Sequence, residues 1–307
     1  MARAQSGWRD AAFRRLVQGA GLAVLLVLVA IGVFLGARAG SAFRQTGWRF
    51  FTETDWFPDF PKPVFGIAAL AYGTVVSSLV ALVVAVPVAI GTALFLTEVV
   101  PARLGRPLGY LVDLLAAIPS VVYGLWGALV LVPALLPVER FLDRNVGFIP
   151  VFDNRSALFG KSIFAAGVVL AIMVVPIVAA LAREIFNQVP RANREAAEAL
   201  GATPWETMRL AVLPYSRSGL VGATMLGLGR ALGETIAVAL VLGSIFTINP
   251  HITEVGGNSI AANIATKFGE AGANGRSALI ASGLVLFAIT LVVNMVGRVI
   301  VRRSTVR

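Results

Sequence analysis

NQVPRANREAAEALGATPWETMRLAVLP, residues 187–214, is a polar, helix-forming stretch set between two long apolar blocks. Pro190 suits the first turn of a helix, where its missing N–H costs nothing. Glu195, Ala196, Ala197, Glu198, Ala199 and Leu200 are strong helix formers. Gly201 can close that helix in a left-handed cap. Thr203 then starts a second helix, with Pro204 at its first position and Glu206 at its third, the Thr-x-x-Glu spacing of a capping box. Leu213 and Pro214 close the unit. Two capped helices meeting at a corner predict a rigid surface element on which a motor subunit could push; a solvated linker between spans is the alternative.

The blocks on either side set the class of protein. The chain is 57% hydrophobic and 14% charged, with a mean hydropathy of +0.83, against about 25% charged residues in a soluble domain. Runs of about 18 or more apolar residues are long enough to cross a bilayer as helices. Six such spans can be marked, at 16–37, 66–97, 108–135, 157–186, 218–247 and 277–300. The expected fold is an all-α polytopic membrane protein: a tail 1–15, a six-span domain 16–300 and a tail 301–307. The first span follows Arg3, Arg9, Arg14 and Arg15, but at 22 residues it exceeds a signal-peptide core of about 7–15, so it reads as an uncleaved anchor. Pro87, Pro119 and Pro176 lie within spans, where they predict either kinks around a cavity or packing kinks alone; neighbouring helices can satisfy the freed carbonyls.

Charge gives the orientation. Of the 26 Lys and Arg, 15 fall in the two tails, counting Arg298 at the end of the last span, and the loops near 98–107 and 183–217, and 10 in the loops near 38–65, 136–161 and 248–276. The richer side is expected in the cytoplasm, with both termini. Basic clusters between apolar blocks fit an anionic lipid surface, and nucleic acid is not an expected partner. Trp48, Phe50, Phe51, Trp56, Phe57 and Phe60 in the first outer loop predict an interfacial anchor.

Several chemistries are excluded. The chain has no cysteine and one histidine, His251, so thiol catalysis and multi-histidine metal sites are ruled out. No GxxxxGK[ST] phosphate loop is present, so any ATP energy must come from another chain. An intramembrane enzyme would need a nucleophile–base set that the spans lack. A passive channel would not need an ordered loop at 187–214. In the fifth span, Arg230 and Glu234 are four residues apart, a spacing that shares one helix face. A charge at mid-bilayer costs about 2.5–3.5 kcal/mol on insertion scales and so seeks an interior and a partner. Arg230 offers a planar fork of donors for an oxyanion, with Glu234 able to pair with it; a pair that only holds the bundle together is the alternative. Gly229 and Gly233 allow close helix approach, and Asp113 reads as a span-boundary residue.

The loop resembles the EAA loop of ABC-importer permeases: Glu195, Ala196, Ala197, Gly201 and the Leu213–Pro214 pair fall in register, with Ala211 where that pattern prefers isoleucine. The stretches 229–235, 116–127 and 260–270 resemble phosphate-specific permeases of the PstC type. The resemblance implies the type I importer fold and the import of inorganic phosphate, with sulfate or molybdate as the rival oxyanions. It implies that the loop docks on an ATPase subunit, which binds the ATP and Mg, while this chain holds no cofactor. It further implies a heterodimer with a PstA-type permease, two ATPase copies below, an extracytoplasmic phosphate-binding protein above, and a bacterial inner-membrane location. In that family the charged residues of the fifth span are implicated in phosphate passage; Arg230 and Glu234 carry that role here.

Overall fold

The computed structural model describes residues 8–156 and 158–305. Of the expected tails, 1–7 and 306–307 lie outside the described residues; 8–15 and 301–305 continue the terminal helices. In chain order the elements are α1 (Trp8–Thr46), α2 (Arg49–Thr52), a hairpin of β1 (Trp56–Phe57) and β2 (Val64–Phe65), α3 (Ala68–Leu94), α4 (Ala102–Ala116), α5 (Ser120–Trp126), α6 (Val132–Val146), α7 (Ile163–Asn187), α8 (Arg191–Ala199), α9 (Pro204–Thr207), α10 (Leu213–Leu232), α11 (Ile236–Val241), α12 (Ile260–Lys267) and α13 (Ala273–Thr305). Wider π-type turns extend α3 over Phe95–Val99, join α5 to α6 over Gly127–Leu131, and join α9 to α10 over Met208–Val212.

Among the described residues, five helical segments are long and apolar enough to cross a membrane: Asp10–Thr46, Ala68–Val99, Ser120–Val146, Ile163–Asn187 and Ala273–Val301. Two of the expected spans are corrected. The span expected at 108–135 is not one helix. It breaks at Ala117–Pro119, where proline lacks the N–H that a continuing helix needs, so α4 stands apart and the long helix begins at Ser120. The span expected at 218–247 ends as α10 at Leu232, and α11 restarts only at Ile236. Pro87 and Pro176, by contrast, lie inside unbroken helices.

The α3–α7 pair forms the centre of the bundle. Ala81, Ala85, Ala89 and Ala93, one per turn, are all fully buried on α3. Small residues at this spacing let backbones approach closely, which is how helices gain dispersion contacts where lipid removes the hydrophobic drive. A side chain added at Gly167 of α7 would overlap Val80 of α3. Packed around this pair are residues of α10 and α11, such as Ala223, Ala231, Ala237 and Val241.

α1 is peripheral. Its 39 residues span roughly 58 Å at 1.5 Å per residue, nearly twice the ~30 Å hydrocarbon core. It joins α13 through Ala39, Ala42 and a Ser41–Ser277 hydrogen bond. The aromatic loop divides in two. Trp48, Phe57 and Phe60 are exposed, in keeping with an interfacial anchor, whereas Phe50 and Trp56 are buried with Phe65 in a packed cluster. Hairpin pairing sets the inward register, with Trp56 opposite Phe65.

Candidate functional site

The corner at 187–214 takes the shape that its cap residues dictate. α8 ends in a Schellman arrangement: Ala202 N donates to Ala197 O (3.1 Å) and Gly201 N to Glu198 O (2.9 Å). Gly201 sits at φ +82°, a conformation that costs side-chain-bearing residues free energy and costs glycine almost none. The capping box closes as expected. Thr203 N donates to Glu206 Oε2 at 2.8 Å, and Glu206 N donates to Thr203 Oγ1 at 3.4 Å. The Thr203 N–H and the Thr203 hydroxyl, both donating to it at 2.8 Å, hold the Glu206 carboxyl below the ordinary carboxylate range. Pro190 stands one position before α8, at its N-cap.

Glu195 and Ala196 are exposed and Ala197 is half-buried. Ala196, Ala197, Gly201, Leu210 and Pro214 line a groove of about 720 Å³ along the corner. Leu200 (90% exposed), Trp205 and Leu210 present a bare apolar edge beside it. The loop's two ends meet on an apolar floor, where Val189 and Val212 pack with Ala93 of α3 and with Ala182 and Phe186 of α7. From Pro204 to Leu232 the backbone stays helical without a gap, a rod of roughly 43 Å at 1.5 Å per residue.

The far end of that rod carries the second candidate set. Gly233 caps α10, its N–H donating to Gly229 O at 3.2 Å, and Glu234 and Thr235 lie in the break before α11. The expectation that Arg230 and Glu234 pair across one helix face is corrected. The i, i+4 relation holds only while the helix continues, and here it ends between them. Arg230 is exposed, Glu234 is 8% exposed, and no ion pair joins them among the described residues. The glycine step meets no other helix of this chain: a side chain added at Gly229 would meet nothing within 4 Å among the described residues. The close approaches of α10 lie elsewhere, at Gly219 against Ile185 and at Gly227 against Val174 and Val178.

Sequence reasoning missed the residues that frame the break. A Cβ at Gly124 of α5 would come within 2.6 Å of the Ala237 Cα, so α5 and α11 touch backbone to backbone. Beside it, Tyr123 lies within electrostatic reach of Arg230 and donates its hydroxyl to Leu115 O at 2.9 Å, bridging the α4–α5 break. The Gly-Leu-Trp-Gly stretch of span three was the available signal. Asp113, expected at a span boundary, lies on α4 and accepts from Arg183 of α7 at 2.7 and 2.8 Å. Arg194, just before Glu195, is tied to Glu98 at the end of the Phe95–Val99 turn; no local pattern pointed to it.

The comparisons with known proteins agree with this architecture. Residues 85–306 match the family described as binding-protein-dependent transport system inner membrane component. The phosphate transport system permease protein PstC 2 of Mycobacterium tuberculosis (strain ATCC 25618 / H37Rv) is 46% identical over 294 residues, covering 94% of this chain and 90% of that protein. PstC of Xylella fastidiosa (strain 9a5c) is 43% identical, covering 96% and 91%. Two solved structures share the fold. An inward-facing MetNI methionine ABC transporter chain aligns with TM-score 0.51 and 22% identity over 76% of this chain and 91% of its own. A bacterial ABC transporter involved in the import of the acidic polysaccharide alginate aligns with TM-score 0.59 and 17% identity over 96% and 98%. The multi-pass helical bundle, the capped corner and these relatives together make the chain a member of the PstC permease family, within the inner-membrane components of binding-protein-dependent transport systems.

Proposed function

We propose that this chain is the permease subunit through which an ATP-driven ABC importer of type I moves inorganic phosphate into the cell. The observation that carries the reading is the helical rod from Pro204 to Leu232, which joins the exposed, capped corner to the break holding Glu234, with Arg230 one turn before it. A push at the corner is a displacement of the rod, and the rod's far end holds Arg230 and leads to the buried Glu234. Substrate identity rests on relatives named as phosphate permeases.

In this reading the chain crosses the membrane six times, the fifth crossing being the broken α10–α11 pass, with domain 16–300 between tails 1–15 and 301–307 and both termini cytoplasmic. Glu195, Ala196, Ala197 and Gly201 seat the corner in a groove of an ATPase subunit, present in two copies, which binds the ATP and Mg. A PstA-type permease completes a heterodimer, and a phosphate-binding protein delivers substrate from outside. Arg230 meets the oxyanion with its planar fork. Glu234, buried in the break, opposes over-tight binding, since conduction needs binding weak enough to release. The test is uptake of labelled phosphate into vesicles holding the complete transporter, with and without ATP, with sulfate and molybdate as competitors. ATP-dependent phosphate uptake that a tenfold excess of either competitor leaves intact is expected. Uptake of sulfate in preference to phosphate would overturn the substrate assignment.

A further inference from the structure

Resting on the coupling role proposed for the corner, we infer that Arg194 and Glu98 form a latch that carries the corner's motion into α3 and α7, alongside the rod into α10. Arg194 lies in the first turn of α8. Its Nη2 donates to Glu98 Oε1 at 2.8 Å and its Nε to Glu98 Oε2 at 3.3 Å, a two-pronged grip on the turn that ends α3. The same guanidinium donates through Nη1 to Val189 O at 2.7 Å and through Nη2 to Phe186 O at 2.9 Å, at the end of α7. One side chain thus ties α8 to the Glu98 carboxylate after α3 and to two backbone carbonyls at the end of α7. Both partners are largely shielded, at 23% and 12% side-chain exposure, so the pair is screened less than a surface one.

α8 buries no residue of its own, and its side-chain hydrogen bonds to the membrane helices, among the described residues, all come from Arg194. The apolar floor beneath holds the loop's two ends, Val189 and Val212, and not α8 itself. Without the latch, a force on α8 would reach α3 and α7 through the hinge at 188–190 or indirectly, through the rod into α10, which packs on both. The planar fork of arginine, which lysine lacks, is what allows the simultaneous grip on a carboxylate and two carbonyls. Arg194 is thus a positioning residue that touches no substrate.

The rival role is a simple cap: Arg194 satisfying the orphan carbonyls at the end of α7. Glu98→Gln separates the two, because it keeps the size of the side chain, leaves both carbonyl contacts in place and, by removing the charge and exchanging one acceptor oxygen for an NH2 donor, breaks the two-pronged grip on α3. The complete transporter is reconstituted in vesicles, and phosphate imported and ATP hydrolysed are measured in the same sample. For a latch, Glu98→Gln hydrolyses ATP but moves about tenfold less phosphate per ATP, a loss in the range of ordinary coupling between sites. Arg194→Lys, which keeps the charge and loses the planar fork, lowers the ratio as well. A native ratio in assembled Glu98→Gln complexes overturns the latch. Gly201→Val leaves the latch in place and tests the corner's coupling role by itself, so the two readings fail separately.

Discussion

Gly201 offers the cleanest perturbation, because the structure separates backbone strain from steric clash. Its φ of +82° is left-handed, and a Cβ built there meets nothing within 4 Å. Any cost to the isolated chain of a side chain at 201 is therefore conformational. For an ordinary L-residue the left-handed region costs roughly 1–2 kcal/mol, and a β-branched residue sits at or beyond the top of that range. Asparagine, which tolerates the region, costs less. At about 1.4 kcal/mol per tenfold, Gly201→Asn should change the ratio of formed to unformed corner least, and Gly201→Ala should lower that ratio several-fold. Gly201→Val should lower it about thirtyfold or more, with loss of the Ala202–Ala197 and Gly201–Glu198 bonds. The membrane helices do not depend on the corner, so insertion should be normal in all three. The assay is phosphate uptake per assembled complex, with co-purification of the ATPase subunit as the second readout. The expected order is Gly, Asn, Ala, Val. Native uptake in Gly201→Val would refute the coupling role of the corner. Equal damage from Asn and Val would refute the strain argument and point to a partner surface that any side chain at 201 would strike.

Arg230→Lys keeps the charge and loses the planar fork, so uptake should fall at least about tenfold. Because Arg230 and Glu234 do not pair, a double-mutant cycle on the stability of the purified complex with Arg230→Gln and Glu234→Gln should show coupling under about 0.5 kcal/mol; a larger value would restore the idea of a paired unit. Orientation can be read with cysteines, since the chain has none. At Leu200 and Phe148, both highly exposed, an impermeant thiol reagent applied outside intact cells should label only Phe148→Cys, and the reverse pattern would invert the topology. Gly124→Val would drive a side chain into the Ala237 backbone, an overpacking that costs about 1–3 kcal/mol. It should lower the thermal midpoint of the purified complex, whereas Gly229→Val, facing open space in this chain, should not do so through packing within it.

The corner was legible from sequence because every force that shapes it acts within five residues: a proline at an N-cap, a glycine at a left-handed position, a Thr–Glu box. The membrane class was equally legible, since hydropathy over about 18 residues is a local sum and lipid demands that backbone groups be paired within the segment. Four of the six marked spans correspond to long helices. The other two failed for a shared reason: hydropathy does not register where a helix stops. At the 117–119 break the Tyr123 hydroxyl takes up the Leu115 carbonyl, and beside the 233–235 break Gly124 lets α5 approach the Ala237 backbone. Arg230 and Glu234 were correctly singled out as charges in an apolar block, but whether they pair depends on helix continuity, which the bundle decides. Glu98 and Arg194 are 96 residues apart, and neither has a local signature. Sequence by itself determined the membrane class and the shape of the corner; tertiary packing decided where the spans break and which charges meet, because those depend on residues brought together from opposite ends of different helices.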